Sequence, residues 1–119
     1  MVERYFSQVV LHQGNVHRNA VVEVNGGCIA VVPYEEETAF TVFISGCIAV
    51  CNNGVNPVCL TEMNAIVCRC GSVYDALSAI DMYLGKNGLY LSDCKKKQGH
   101  DVVSLLKYDV SSGWNFVSL

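Results

Sequence analysis

Short runs of apolar and β-branched residues, separated by turn-forming residues, fill the first half of the chain. Such runs are typical of β-strands, in which side chains alternate between the two faces of a sheet. Five strands are predicted on this basis, at Arg4–His12, Val16–Val24, Cys28–Val32, Thr38–Ile44 and Cys47–Cys51. The second and third are joined by Asn25-Gly26-Gly27, a strong hairpin signal because Asn and Gly tolerate the positive φ of tight turns. Residues 1–57 are therefore predicted to be β-rich.

The pentapeptide Gly-Cys-Ile-Ala-Val occurs twice, at Gly27–Val31 and at Gly46–Val50. Both copies follow turn-forming residues and lie in apolar stretches, so they predict two similar strands of one sheet with a cysteine at the start of each. The second of these strands, Cys47–Cys51, has no charged residue. Because an uncharged strand at a sheet edge is a template for pairing with another chain, we expect this strand to be central or covered by a second subunit.

The period of the apolar residues changes in the second half of the chain. A spacing of three and four residues, typical of one face of a helix, links Val73, Ala76, Leu77, Ile80 and Leu84. Ser72 is placed to cap the N-terminus of this helix, and Gly85 followed by Asn87-Gly88 is expected to end it.

The segment Leu60–Arg69 is compatible with two structures. Thr61 could cap a helix there, whereas Ala65–Cys70 would also serve as a strand; the helix is favoured. The remaining predicted elements are strands at Leu89–Ser92 and Val102–Val110 and a tail, Trp114–Leu119, that docks on the fold.

These elements predict a single α+β domain over residues 1–119, a length close to the common domain size. Its sheet is expected to be mostly antiparallel, with about six strands curled into a sandwich or half-barrel, and residues 58–119 are expected to supply one or two helices. Hydrophobic residues make up 51% of the chain and charged residues only 16%, which favours a packed globule over a disordered chain.

The charge pattern argues against nucleic acid and membrane partners. The formal net charge is −3, and the one basic run, Lys95-Lys96-Lys97, lies between Asp93 and Asp101 and is interpreted as a solvated loop. The longest apolar run, Ala39–Cys51, is too short to span a bilayer.

The chain has an odd number of cysteines, namely Cys28, Cys47, Cys51, Cys59, Cys68, Cys70 and Cys94. The first residues, from Met1 to Tyr5, lead into a strand-like segment rather than a secretory signal. We therefore expect a cytoplasmic protein with reduced thiols that mostly act as small buried apolar groups. The alternative is a secreted protein with six cysteines paired and one free.

Two cysteine pairs could in principle bind zinc. They are Cys47-x3-Cys51 and Cys68-x-Cys70. Structural zinc sites usually hold paired ligands two to four residues apart on a tight turn. Here the first pair falls on one apolar face of a predicted strand and the second is too close for such a turn. Buried structural cysteines are therefore favoured over metal ligands, and no cofactor is predicted.

Catalysis by a cysteine requires a thiolate beside a histidine that a third group orients. The histidines are His12, His17 and His100, and nothing in the sequence brings one of them to a particular cysteine. Cys94 is the best candidate for a reactive thiol, because the adjacent Lys95 would lower its pKa. The sequence therefore favours a protein that is not an enzyme.

The stretch Asn19–Val32, with the sequence NAVVEVNGGCIAVV, resembles the hairpin that opens the small β-sandwich of amidohydrolase-superfamily proteins. The segment Gly99–Phe116 is similar to the strands that complete this composite domain. The chemistry of that family requires a His-x-His metal pair and a long catalytic barrel, neither of which this sequence contains. The resemblance therefore implies only the flanking sandwich, without hydrolase activity.

The large apolar fraction suggests more apolar surface than one small core can hide. We therefore expect a non-catalytic cytoplasmic domain that acts through protein contacts, most simply as a homodimer. The alternative is a small thiol-dependent enzyme or ligand-binding protein that uses Cys94 or Cys70, with a small-molecule ligand that the sequence does not identify.

Overall fold

Seven strands and two helices make up the described part of a computed structural model, which comprises residues 2–25, 28–34, 41–52, 54–90, 104–109 and 112–117. The strands are β1 (Val2–His12), β2 (Asn15–Asn25), β3 (Cys28–Pro33), β4 (Thr41–Phe43), β5 (Cys47–Cys51), β6 (Ser104–Asp109) and β7 (Gly113–Phe116). The helices are α1 (Pro57–Arg69) and α2 (Val73–Lys86).

The strands form one open sheet in the order β3-β2-β1-β5-β6-β7, with β4 paired to β1. The pairs β1–β2, β2–β3, β5–β6 and β6–β7 are antiparallel, whereas β1 pairs in parallel with both β4 and β5. The predicted α+β class with a mostly antiparallel sheet is therefore confirmed, with seven described strands where about six were expected. The described strands form one open sheet rather than the expected sandwich or half-barrel. Because β6 and β7 come from the second half of the chain, both halves contribute to the same sheet.

The two hairpins at the start of the chain follow the predicted boundaries. Gln13 and Gly14 form the first turn with positive φ angles of 53° and 82°, and β1 then pairs with β2 along its length. In the second hairpin Asn25 lies opposite Cys28. Several predicted features lie outside the described residues: the Gly26-Gly27 turn, residues 35–40, the lysine loop with Cys94 and His100, and the ends of the strands predicted at Leu89–Ser92 and Val102–Val110. Of the first of these two strands, the described part is a single bridge between Tyr90 and Cys51.

The strands β4 and β5 lie one after the other along the same side of β1, with one extra residue between them. Phe6 lies opposite Phe43 and Val9 lies opposite Cys47, so residues 7–8 of β1 face residues 44–46. Such an insertion bends a strand and changes the direction of the side chains that follow it.

A serine and a glycine hold this irregular junction together. The Ser7 hydroxyl, which is fully buried, donates a hydrogen bond of 2.7 Å to the Gly46 carbonyl oxygen and accepts one of 3.3 Å from the Val9 amide. Gly46 has a φ of +117°, and a Cβ atom there would lie 2.1 Å from the Tyr108 carbonyl oxygen of β6. The junction therefore requires glycine for both its conformation and its close approach to β6.

At the level of the junction, the face of β1 that carries the buried residues also changes. Tyr5 and Val10 belong to the same core cluster although they are an odd number of residues apart, which a regular strand would place on opposite faces. Leu11 belongs to the second cluster, on the opposite face of the sheet, together with helix residues such as Met63 and Ile80. The first cluster contains strand residues alone among those described.

The repeated pentapeptide has two different environments. Its second copy forms β5, which lies between β1 and β6, so the expectation of a central strand is confirmed and Ala49 is fully buried. Its first copy forms β3 at the edge of the sheet, where Ala30 is exposed. As predicted, Cys47 and Cys51 share one apolar face of β5.

The predicted helix α2 is confirmed, with Ser72 as its N-cap accepting a 3.1 Å hydrogen bond from the Asp75 amide. Its predicted end at Gly85 is wrong, because the helix continues through Gly85 to Lys86 and is capped by Asn87. The favoured helix over Leu60–Arg69 is also present, but it begins earlier than predicted. Asn56, not Thr61, caps it, because Pro57 occupies the first turn and the Asn56 side chain accepts a hydrogen bond from the Cys59 amide. Thr61 lies inside the helix and donates to the Pro57 carbonyl oxygen.

Replacing Gly46 by alanine is expected to destabilise the protein by about 2–4 kcal/mol, because the new Cβ would be strained and would collide with the β6 backbone. A matched control is Gly85→Ala in helix α2, where a Cβ would meet no atom within 4 Å. This change should stabilise the protein by about 0.5–1 kcal/mol through helix propensity. Urea unfolding of both variants measures the difference, and similar midpoints for the two would contradict the proposed role of Gly46.

Candidate functional site

The two helices cross one face of the sheet as an antiparallel pair joined by a short connection, residues 70–72. Helix α1 is fixed to the edge strand β7, because the Asn64 side-chain oxygen accepts a 2.7 Å hydrogen bond from the Trp114 amide. Gly113 allows this approach, since a Cβ there would lie 2.6 Å from the Asn64 oxygen. The hydroxyl of Tyr83 on α2 donates to Glu62 on α1, which ties the helices to each other.

Between the helix connection and the sheet lies a cavity of about 480 Å³. On the sheet side it is lined by Gln8, Val9, Gly46, Cys47, Tyr108 and Trp114. On the helix side it is lined by Val67, Cys70, Gly71, Ser72, Val73, Ala76, Leu77 and Ile80. Gln8, Ser72 and Val73 are exposed and form its rim. The volume falls within the range of about 300–1,000 Å³ that is usual for small-molecule sites.

Small side chains leave this space open. Gly46 at the sheet junction, Gly71 in the helix connection and Ala76 on the inner side of α2 each fill little volume. Further along the helix pair, larger residues close the gap, and Met63 and Leu84 are fully buried there. The cavity therefore lies where the sequence places small residues on both the sheet and the helices.

Two aromatic rings form part of the sheet side of the cavity. The rings of Tyr108 and Trp114 pack against each other with their centroids 5.5 Å apart and their planes tilted by 55°. Trp114 is only 3% exposed, and its indole N–H is a buried donor with no acceptor among the described residues. Leaving such a donor without a partner costs about 1–3 kcal/mol. Buried donors of this kind are almost always hydrogen-bonded in native proteins.

The described cysteines are divided between the cavity and other parts of the fold. Cys47 and Cys70 line the cavity, and the Cys70 thiol donates a 3.2 Å hydrogen bond to the Ile66 carbonyl oxygen. Cys51 is fully buried and Cys68 is exposed on α1. Cys94, the candidate reactive thiol, lies outside the described residues.

Burial makes the two thiols of β5 unreactive. It raises the pKa of Cys47 to about 12 and that of Cys51 to about 12, and in Cys51 the neighbouring thiols of Cys59 and Cys47 add smaller increases. The nucleophilic form of cysteine is the thiolate, so both residues stay as neutral apolar groups at neutral pH. Among the described residues no group of three or more histidine, cysteine or acidic side chains could hold a metal ion.

The described histidines lie away from the cavity. His12 and His17 flank the β1–β2 turn, and their ring centroids are 6.1 Å apart. Burial lowers the pKa of His12, and the neighbouring His17 lowers it further. Neither ring lines the cavity, and His100 lies outside the described residues. The described part of the site therefore has apolar walls, aromatic rings and thiols but no histidine beside a cysteine.

No family model, curated protein or solved structure matches this chain. The resemblance of Asn19–Val32 to the amidohydrolase flanking sandwich stays a prediction. Neither of the two described helices has the length and hydropathy to cross a membrane.

Sequence reasoning singled out Cys70 and Cys47 but did not connect them with the aromatic rings. Trp114 was expected only to dock the tail, and Tyr108 was part of a predicted strand. The cavity joins residues from β1, β5, β6, β7 and both helices. The distances between these residues depend on the order of the strands in the sheet. The spacing of residues along the sequence therefore does not predict the cavity.

Alkylation of the native protein at pH 8 should modify the exposed Cys68 and leave the buried Cys47 and Cys51 intact. Their pKa of about 12 lowers the thiolate fraction about a thousandfold relative to an ordinary thiol. Between pH 8 and pH 11 their rates should keep rising about tenfold per pH unit, whereas an ordinary thiol levels off. Peptide mass spectrometry measures each site, with a urea-unfolded sample as the control. Equal rates at Cys51 and Cys68 in the native protein would contradict this assignment.

Proposed function

We propose that this protein is a non-catalytic module that binds a small molecule in the cavity between the helix pair and the sheet. The observation that carries the proposal is the combination of a suitable volume with a mostly apolar lining and a few polar groups at its wall and rim. A ligand-binding protein that uses Cys70 is one of the alternatives that the sequence leaves open.

The chemistry of the lining favours binding over catalysis. A thiol nucleophile needs a lowered pKa and a nearby base, whereas burial raises the pKa of Cys47 to about 12. No described histidine lines the cavity, so none of the described residues stands beside a thiol there as a general base. The described groups can therefore hold and orient a molecule.

Filling the cavity should abolish binding without unfolding the protein. Ala76→Leu adds three carbon atoms from helix α2 into the open space and should leave the melting temperature unchanged or raise it. The wild-type protein is screened with a panel of small aromatic and aliphatic compounds by following the fluorescence of Trp114, its one tryptophan. Compounds that give saturable binding should lose at least tenfold in affinity for the variant.

The matched control is Ala65→Leu, the same substitution at an exposed position of helix α1 that does not line the cavity. It should bind the same compounds with wild-type affinity. Compounds that bind wild type and Ala76→Leu equally would place their site elsewhere and contradict the proposal. The absence of any saturable binding across the panel would contradict it as well.

A second candidate function is self-association through the edge strand β3. Among the described strands β3 pairs only with β2, and Cys28–Val32 carries no charge that would block a further strand, although Pro33 blocks the end of β3. A second copy of the chain is the partner that fits, because antiparallel pairing of one strand with itself generates a closed two-fold dimer. The strand Cys47–Cys51 does not supply this contact, since it is central in the sheet.

A lysine in the exposed edge strand should prevent this pairing. We expect the wild-type protein to be a dimer by light scattering and Ala30→Lys to be a monomer, since Ala30 is exposed in β3 and the variant should fold. The control Ala65→Lys places the same charge on the surface of α1 and should leave the dimer intact. A wild-type protein that is monomeric at high micromolar concentration would contradict self-association, without consequence for the cavity.

A further inference from the structure

The residues that line the cavity carry no charge. The lining includes thiols, a phenol, an amide and a hydroxyl, but none of its described residues is an aspartate, glutamate, lysine, arginine or histidine. The thiol of Cys47 stays neutral, because its burial disfavours the thiolate. A charged ligand group would therefore lose its hydration without meeting a counter-charge, which costs several kcal/mol when the group is fully buried.

The helix ends at the cavity do not replace this missing charge. Helix α1 ends and helix α2 begins on either side of residues 70–72, so a negative and a positive helix end lie close together and largely cancel. In the first turn of α2 the Asp75 amide is already taken, since it donates to the Ser72 side chain. The paired helix ends therefore add little net charge that would attract an anion.

The aromatic wall provides the favourable contact instead. The tilted rings of Tyr108 and Trp114 present an apolar surface to one side of the cavity, and Val9, Leu77 and Ile80 complete it with aliphatic groups. Ring systems pack well against such surfaces in stacked or edge-to-face geometry. Resting on the proposed function, we infer that the cavity selects neutral, ring-containing molecules and rejects their charged analogues.

Two pairs of probes with the same naphthalene ring test this selectivity. They are 2-naphthamide against 2-naphthoate, which differ mainly in one negative charge, and 2-naphthylmethanol against 2-naphthylmethylammonium, which differ mainly in one positive charge. Isothermal titration calorimetry at pH 7 should show the neutral member of each pair binding at least about tenfold more tightly. Ala76→Leu should abolish the binding of the neutral members, which places them in the cavity.

A charge placed at the rim should change the preference in a defined direction. Gln8 is exposed and lines the cavity, so Gln8→Lys should fold normally and should raise the affinity for 2-naphthoate about three- to tenfold. The ratio of the affinity for 2-naphthoate to the affinity for 2-naphthamide, measured on the same variant, should rise by the same factor, whereas an unchanged ratio would contradict the inference. A rise in this ratio would show that the missing charge causes the selectivity.

The outcomes distinguish the proposed function, which is ligand binding in the cavity, from the inference that the ligand is neutral. Equal affinities within each pair, all of them abolished by Ala76→Leu, would keep the binding site and overturn the inference about its ligand. Tighter binding of a charged member would overturn it in the same way. If no probe gives a signal that Ala76→Leu abolishes, the proposed function fails and the inference about the ligand fails with it.

Discussion

The hydrogen bond between the Ser7 hydroxyl and the Gly46 carbonyl oxygen stabilises the junction between β4 and β5 beside β1. The register of the central strands depends on this junction. At this point β1 leaves β4 and begins to pair with β5, and the offset of one residue is fixed. That offset decides which face of β5 receives Cys47 and Cys51. A buried polar contact thus sets the register on which two apolar clusters are built.

The same junction links the fold to the cavity. Gly46 has no side chain because the β6 backbone lies against it, and the same residue lines the cavity. On the helix side, the short connection through Gly71 lines it as well. The cavity therefore lies beside the junction at which β1 changes its partner strand. Ligand sites in other folds likewise tend to lie where elements change partners or direction.

Elements with a local signal were predictable from the sequence. The Ser72 cap and the apolar stripe that follows it gave α2 directly, and alternating apolar runs with turn residues gave the strands β1, β2, β3 and β5. The start of α1 was missed because Asn and Pro, the residues at positions 56 and 57, are common turn formers, although proline in a first turn is a helix signal too. The seventh strand was missed because Gly113–Phe116 is short and lies at the edge of the sheet.

The sheet order and the cavity were beyond the reach of local patterns. Parallel pairing of β1 with β4 and β5 joins segments more than thirty residues apart. Such pairing does not use a tight turn, so no turn residue in the sequence predicts it. Tyr108 and Trp114 meet Cys47 and Cys70 only because that order brings β6 and β7 under the helix connection. The composition predicted that the chain is rich in apolar residues. Which of these residues line the cavity depends on the order of the strands.

The two copies of Gly-Cys-Ile-Ala-Val show how little a peptide alone determines. Ala49 in the centre of the sheet has no exposed surface, whereas Ala30, at the same place in the other copy, faces solvent on the edge strand. Selection acts on these alanines through different physical constraints, the first through volume and the second through solubility. The two copies should therefore diverge at different rates in related chains. The identity of the two peptides does not mean that they have equivalent roles.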